Sequence, residues 1–173
     1  VHAGVRLIMA NPRDRSVLQL HLPEDWPERA EPDAEFRYAL FDGSARVAGT
    51  GSLATIPRAQ TVIAVAPASA VAFVRVALPA ARGARLAQLL PLAVEEAVAT
   101  PPESVHAVVV ENVPAGESLV AVADRAWLDL TVRTLTAHGL QPARLIVETE
   151  LAAQRLAKER GAWRETVKSA GVA

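Results

Sequence analysis

A proline stands in the middle of an otherwise good amphipathic helix. The run is Leu78-Pro79-Ala80-Ala81-Arg82-Gly83-Ala84-Arg85-Leu86-Ala87-Gln88-Leu89-Leu90-Pro91-Leu92-Ala93-Val94-Glu95-Glu96-Ala97-Val98-Ala99. A proline in a helix interior removes one backbone hydrogen bond and costs about 3 kcal/mol. A chain tolerates that cost where a bend is useful or where packing compensates. The helix is expected over about Ala80 to Ala99. Thr100-Pro101-Pro102 ends it, because a residue before proline is pushed out of the helical region.

The apolar positions of this helix are unusually broad. Leu86, Leu89, Leu90, Ala93 and Ala97, joined by Val94 and Val98, exceed one narrow stripe. Such a helix either is buried or presents a face to another protein. Glu95 and Glu96 are adjacent, so their side chains point about 100° apart. They are poorly placed for paired-carboxylate catalysis and suit a solvated face or a partner's basic residue.

The strands fall on both sides of this helix. Ser16 to Leu22 alternates apolar and polar residues, as a half-buried strand does. Pro23 to Asp33 reads as a surface loop rich in proline and acids. Phe36 to Phe41 and Ala45 to Gly51 form two strands around the hairpin turn Asp42-Gly43. Thr61 to Ala66 is continuously apolar, which suggests a strand buried on both faces. Ala70 to Val76 alternates. Val105 to Val110 and Leu119 to Ala123 are further strands, joined by a turn over Asn112 to Glu117.

Asp124 is placed to cap a helix from Arg125 to His138. Trp127, Leu128, Thr131, Leu135 and His138 line most of one face. Gly139 and Leu140 fit the left-handed stop and its hydrophobic contact. Ala143 to Val147 is a last strand. Thr149 caps a final helix to about Arg160. Residues 1–15 read as a leader or a disordered segment, and 151–173 as that helix followed by a truncated tail. The order of elements predicts a mixed α/β (α+β) fold.

With 173 residues, one compact domain or two small ones is expected, and 51% hydrophobic residues supply ample core. A net charge of -1 gives no electrostatic case for nucleic acid or an anionic membrane. The chain has no cysteine, which removes disulfides, thiol catalysis and cysteine-ligated metal, and fits a reducing compartment. No apolar run reaches the roughly 18 residues that span a bilayer. Val5 to Ala10 is too short for a signal-peptide core. The chain therefore reads as soluble.

Residues with chemistry are sparse. Gly49-Thr50-Gly51-Ser52 lacks the lysine of a phosphate loop and reads as a turn at a strand end. His2, His21, His106 and His138 do not fall at metal-ligand spacings. His106 reads as a core or edge histidine, and His138 as a complement to a helix dipole. Ser44, Ser52, Ser69, Ser104 and Ser118 sit in no nucleophile elbow. No catalytic residue, metal or cofactor is expected.

The ordered set Leu78-Pro79, Arg82 and Arg85, Leu90-Pro91-Leu92-Ala93-Val94-Glu95-Glu96, Val105-His106-Ala107, Leu119 to Ala123, Trp127-Leu128 and Gly139-Leu140-Gln141-Pro142 carries a resemblance. Over about residues 36–150 the chain resembles the cytoplasmic domain of general secretion pathway protein L, of type II secretion systems. It departs from that family at Leu92, where an aromatic residue is frequent. It departs again at Thr100 to Glu103, where an acidic stretch is usual.

The resemblance implies an actin-like fold. An RNase H-like subdomain is expected at 16–78 plus 117–150, with a small inserted subdomain at 79–116. Actin-like ATPases carry an Asp-x-Gly phosphate loop in the first hairpin. Here the first strand runs into Pro23-Glu24-Asp25-Trp26, so no nucleotide hydrolysis is expected.

The implied role is a non-catalytic adaptor at the cytoplasmic face of the inner membrane. It would recruit the amino-terminal domain of the secretion ATPase and contact other inner-membrane platform proteins. The expected docking residues are Arg85, Gln88, Leu92, Glu95 and Glu96. A homodimer is compatible with the short apolar strand edges. The alternatives are a nucleotide-binding actin-like protein related to pilus-assembly proteins, and a domain whose task lies in segments outside this chain.

Overall fold

The computed structural model describes residues 16–27, 34–111, 113 and 116–149. The expected leader at 1–15 and the segment after 149 lie outside these residues, as do parts of the 23–33 loop and the 112–117 turn. The described chain forms two sheets, each with a helix on one face.

The first sheet has five strands. They are β1 (Val17–His21), β2 (Phe36–Asp42), β3 (Ala45–Gly51), β4 (Thr61–Ala66) and, from the far end of the chain, the strand Pro142–Val147. That last strand is β8, counted after the three strands of the second sheet. The order is β3-β2-β1-β4-β8. β1, β2 and β3 pair antiparallel, and β4 and β8 add in parallel. Gly43 turns the β2–β3 hairpin with φ 58°, a conformation glycine adopts without steric cost. β4 lies between two parallel neighbours. Val62, Ala64, Val65 and Ala66 are all buried, as its continuous apolar run predicts.

Helix α2 (Arg125–Ala137; α1 precedes it in the second sheet) covers this sheet. The Asp124 carboxylate accepts from the Trp127 N–H at 2.7 Å and caps it. At the other end, the Leu140 N–H bonds the Leu135 carbonyl and the Gly139 N–H bonds the Thr136 carbonyl, both at 2.9 Å. Gly139 has φ 71°. This double bond with a left-handed glycine is the Schellman stop, and Leu135 and Leu140 supply its hydrophobic contact.

The sequence reading of 23–33 as a surface loop fails at Trp26. Its side chain is 3% exposed and packs edge-on against Phe36, with ring centroids 5.3 Å apart. Its indole N–H donates to Thr131 Oγ1 at 2.9 Å, and its carbonyl accepts from Trp127 Nε1 at 2.8 Å. A bulky indole with a donor enters a core when the donor finds a partner, and buried Thr131 provides it. Leu18, Leu20, Leu22, Ile56, Val62 and Leu135 complete this core.

The second sheet has the order β5-β7-β6 and is antiparallel throughout. Its strands are β5 (Val71–Ala77), β6 (Val105–Glu111) and β7 (Glu117–Asp124), and helix α1 (Gly83–Val98) lies on one face. The expected boundaries of the inserted unit, 79–116, change accordingly. β5 and β7 belong with β6, because both exchange ladder hydrogen bonds within this sheet and neither pairs with the first. The unit therefore spans 71–124. Ala66, Val71 and Val147, with Ala121, Ala123 and Trp127 against them, join the two sheets.

β6 is an edge strand, and His106 on it is exposed while Val105 is buried, which is the edge alternative of the two read from the sequence. One boundary changes. Helix α1 ends at Val98, one residue early. Ala99 takes the left-handed cap with φ 50°, and its N–H bonds the Glu95 carbonyl at 2.9 Å.

Left-handed backbone costs an L-residue about 1–2 kcal/mol that glycine avoids. Ala99→Gly is thus expected to stabilise the fold by about 1 kcal/mol, and Gly139→Ala to destabilise it by about the same amount. Urea titration with unchanged slope reads both.

Candidate functional site

Helix α1 has two opposed faces. Leu90 and Val94 are buried, and Leu86 and Val98 are half-buried beside them. These positions recur every four residues and meet Val74 and Val76 of β5, Val105, Ala107 and Val109 of β6, and Val120 and Val122 of β7. Burying that stripe decides what faces out. At about 100° per residue, Arg85, Gln88, Leu92, Glu95 and Glu96 fall within an arc of about 100° opposite it. All five are exposed, and Leu92 is 58% exposed.

The breadth of the apolar surface has a plain division. Leu89 and Ala93 are half-buried at its border, Ala97 is exposed, and Leu92 stands alone in the outward arc. Pro91 lies within the helix and is half-buried. It offers no N–H to the Ala87 carbonyl, and Ala87 is exposed, so solvent can serve that group.

The charges of α1 run against its own dipole. No acid stands in its first turn and no base in its last. Arg82 at the N-cap and Arg85 lie at the positive end, while Glu95 and Glu96 lie at the negative end. Each arrangement is unfavourable for an isolated helix. The first turn also has no side-chain cap. Helix stability does not explain this polarity.

Other sequence candidates settle into structural places. β1 passes directly into Leu22, whose N–H bonds the Val65 carbonyl at 2.9 Å. Leu22 and Trp26 then fill the core where a phosphate loop would need open backbone. Ser52 begins a tight turn: its N–H bonds Thr55 Oγ1 at 3.0 Å, and its carbonyl accepts from the Thr55 and Ile56 N–H groups. His138 caps α2, with Nδ1 2.9 Å from the Thr134 carbonyl. Ser118 is fully buried and its hydroxyl accepts from the Val113 N–H at 3.0 Å.

His21 Nδ1 lies 3.8 Å from Glu148 Oε1, and Arg37 Nη2 lies 3.6 Å from the same oxygen. The Arg37 side chain is 73% exposed, so this pairing adds little stability. Among the described residues no group of three or more His, Asp or Glu side chains is arranged to hold a metal ion. Among them, too, no helix is long and apolar enough to cross a membrane.

One surface escaped the sequence reading. Phe73, Val108 and Val110 are exposed on the face of the second sheet turned away from α1. The signal was present in β6, where Val108, Val109 and Val110 are apolar in succession and a half-solvated strand would alternate.

The family model for protein L of the type II secretion system (T2SS) matches residues 42–152. Among curated proteins, no match is found. Solved structures do match, and one is the cytoplasmic domain of EpsL, an inner membrane component of the type II secretion system of Vibrio cholerae. The TM-score is 0.59 at 19% identity, over 76% of this chain and 57% of that one. At that identity the likeness shows the fold. This chain thus spans little more than half of that structure.

Glu95→Lys with Glu96→Lys removes two exposed charges that oppose the dipole. The melting temperature of the double variant is expected to hold or rise slightly in scanning calorimetry. A drop of several degrees would assign the two carboxylates to the fold instead.

Proposed function

The chain belongs to the protein L family of type II secretion systems, and from that premise we propose that it is a non-catalytic adaptor. It recruits the amino-terminal domain of the secretion ATPase to the inner-membrane platform, working at the cytoplasmic face of the inner membrane. The docking surface is the outward face of α1: Arg85, Gln88, Leu92, Glu95 and Glu96. Other platform proteins are its further partners.

The observation that carries this reading is the outward face itself. It holds one large exposed apolar side chain, Leu92, between a basic and an acidic end. An apolar anchor flanked by charges is a common design for protein recognition: the anchor supplies affinity, and the charges supply register and orientation. The opposite stripe of α1 is committed to the sheet, so the helix is held rigidly and little ordering entropy is spent on binding.

Calorimetric titration with the amino-terminal domain of the cognate ATPase is expected to give saturable one-to-one binding. Glu95→Lys with Glu96→Lys is expected to weaken it roughly tenfold or more, equivalent to about 1.4 kcal/mol. Unchanged affinity in that variant would remove α1 as the docking surface.

An adaptor without a phosphate cradle is expected to show no thermal shift with magnesium and ATP. A specific ligand at about a hundred times its dissociation constant stabilises a fold by about 2.7 kcal/mol. A shift of that size would turn the reading toward a nucleotide-binding actin-like protein.

A further inference from the structure

The charged side chains at the two ends of helix α1 meet no opposite charge. Arg82 and Arg85 are exposed at its start, and Glu95 and Glu96 are exposed at its end. Among the described residues, none of these four side chains takes part in an ion pair or a hydrogen bond. They cannot meet one another either. A helix rises about 1.5 Å per residue, so Arg85 and Glu95 lie about 15 Å apart along its axis. Charges that support a helix are interleaved three or four residues apart, where opposite signs touch. Here the signs are segregated, and each sits at the end of the dipole that disfavours it.

The surroundings do not offset this pattern. Beside the acidic end, Glu103 is exposed in the single turn Pro102–Ser104, which packs against α1, and it has the same sign. Arg125 donates to the Val105 carbonyl at 2.9 Å and pairs with neither glutamate. At the basic end, Glu117 borders the same hollow as Arg82. It stands opposite Ala77 in the ladder, in the register of Phe73 and Arg75, and so belongs to the sheet face turned away from α1. Between the two ends, Leu92 is 58% exposed and Gln88 is exposed beside it.

We infer that the surface of the ATPase domain that docks on α1 sets an acidic group over Arg82 and Arg85 and a basic group over Glu95 and Glu96, about 15 Å apart, with an apolar socket for Leu92 between them. This rests on the reading of α1 as the docking face and adds the partner's register and direction. One charge pair fixes neither. Two pairs of opposite sign on either side of an anchor fix both, because a partner turned end for end sets acid on acid and base on base. A polarity that is unfavourable to the free helix becomes favourable in the complex, where each charge gains the counter-charge it lacks in the free chain.

Calorimetric titration of the full 173-residue chain with the amino-terminal domain of the cognate secretion ATPase tests this, beside a melting scan of each variant. Three variants are compared: Arg82→Glu with Arg85→Glu, Glu95→Lys with Glu96→Lys, and all four together. Each pair alone is expected to weaken binding about tenfold. All four together are expected to weaken it about a hundredfold, although that variant keeps the wild-type net charge of -1. Its melting temperature is expected to rise, because every reversed charge now complements the dipole. Affinity and stability thus move in opposite directions.

The docking reading and this inference fail differently. If the glutamate pair weakens binding while the arginine pair leaves it unchanged or tighter, α1 remains the docking face and the two-ended match is overturned. A fourfold variant that binds as the wild type does overturns it too, since the charges then act through the net field and not by register. A fourfold variant that melts several degrees lower assigns the charges to the fold and overturns it. If neither pair changes the affinity, or the wild-type chain does not bind, the docking face is lost and this inference with it.

Discussion

Burial of Leu90 and Val94 against Val105, Val120 and Val122 is the contact on which the orientation of α1 depends. A three-stranded antiparallel sheet has no stable core until something covers a face. Helix α1 provides that cover, with a stripe spaced four residues apart. Once the stripe is committed, the rotation of the helix is settled and so is the identity of its outward face. Leu92, three residues from Leu89 and two from Leu90, is carried outward by geometry alone. The same burial leaves the far face of the sheet open. One packing decision thus produces two surfaces, back to back, on a unit of 71–124.

The first sheet has a different organisation. Its core is tied across the chain by Trp26, which bonds Thr131 with its indole and receives Trp127 with its carbonyl. The segment after β1 is thereby pinned under α2. A glycine-rich phosphate loop at that place would leave backbone N–H groups open to a ligand. Here Leu22 and Trp26 occupy it with apolar side chains. The fold resembles that of the EpsL cytoplasmic domain at a TM-score of 0.59, and the segment after β1 is packed with hydrophobic residues.

Much of this was legible in the residues. The strands, the Asp124 cap and the Gly139-Leu140 stop follow from local rules: period-two patterning, a carboxylate before a helix, a glycine after one. Helical spacing places Arg85, Gln88, Leu92, Glu95 and Glu96 on one side of α1, but which side faces out was not legible, because the sheet that covers the other side is a tertiary contact. What local rules did not reveal depends on contacts distant in sequence. Trp26 sits among prolines and acids and reads as loop, and its burial requires Thr131, over a hundred residues away. β5 and β7 were divided from β6 because pairing partners are a tertiary property. The open face of the second sheet was hidden for the same reason. An apolar residue in a strand looks like core until the covering layer is known to be missing.

The chain has no cysteine, so single cysteines report accessibility cleanly. The most direct measurement is the thiol-labelling rate at Leu92→Cys and Glu96→Cys, with Val47→Cys on β3 as the reference, with and without the amino-terminal domain of the secretion ATPase. Val47 is 54% exposed and lies in the other sheet. If the outward face of α1 docks the ATPase, saturating domain slows labelling at Leu92→Cys and Glu96→Cys and leaves Val47→Cys unchanged. Equal labelling at the α1 positions with the domain bound would contradict the account.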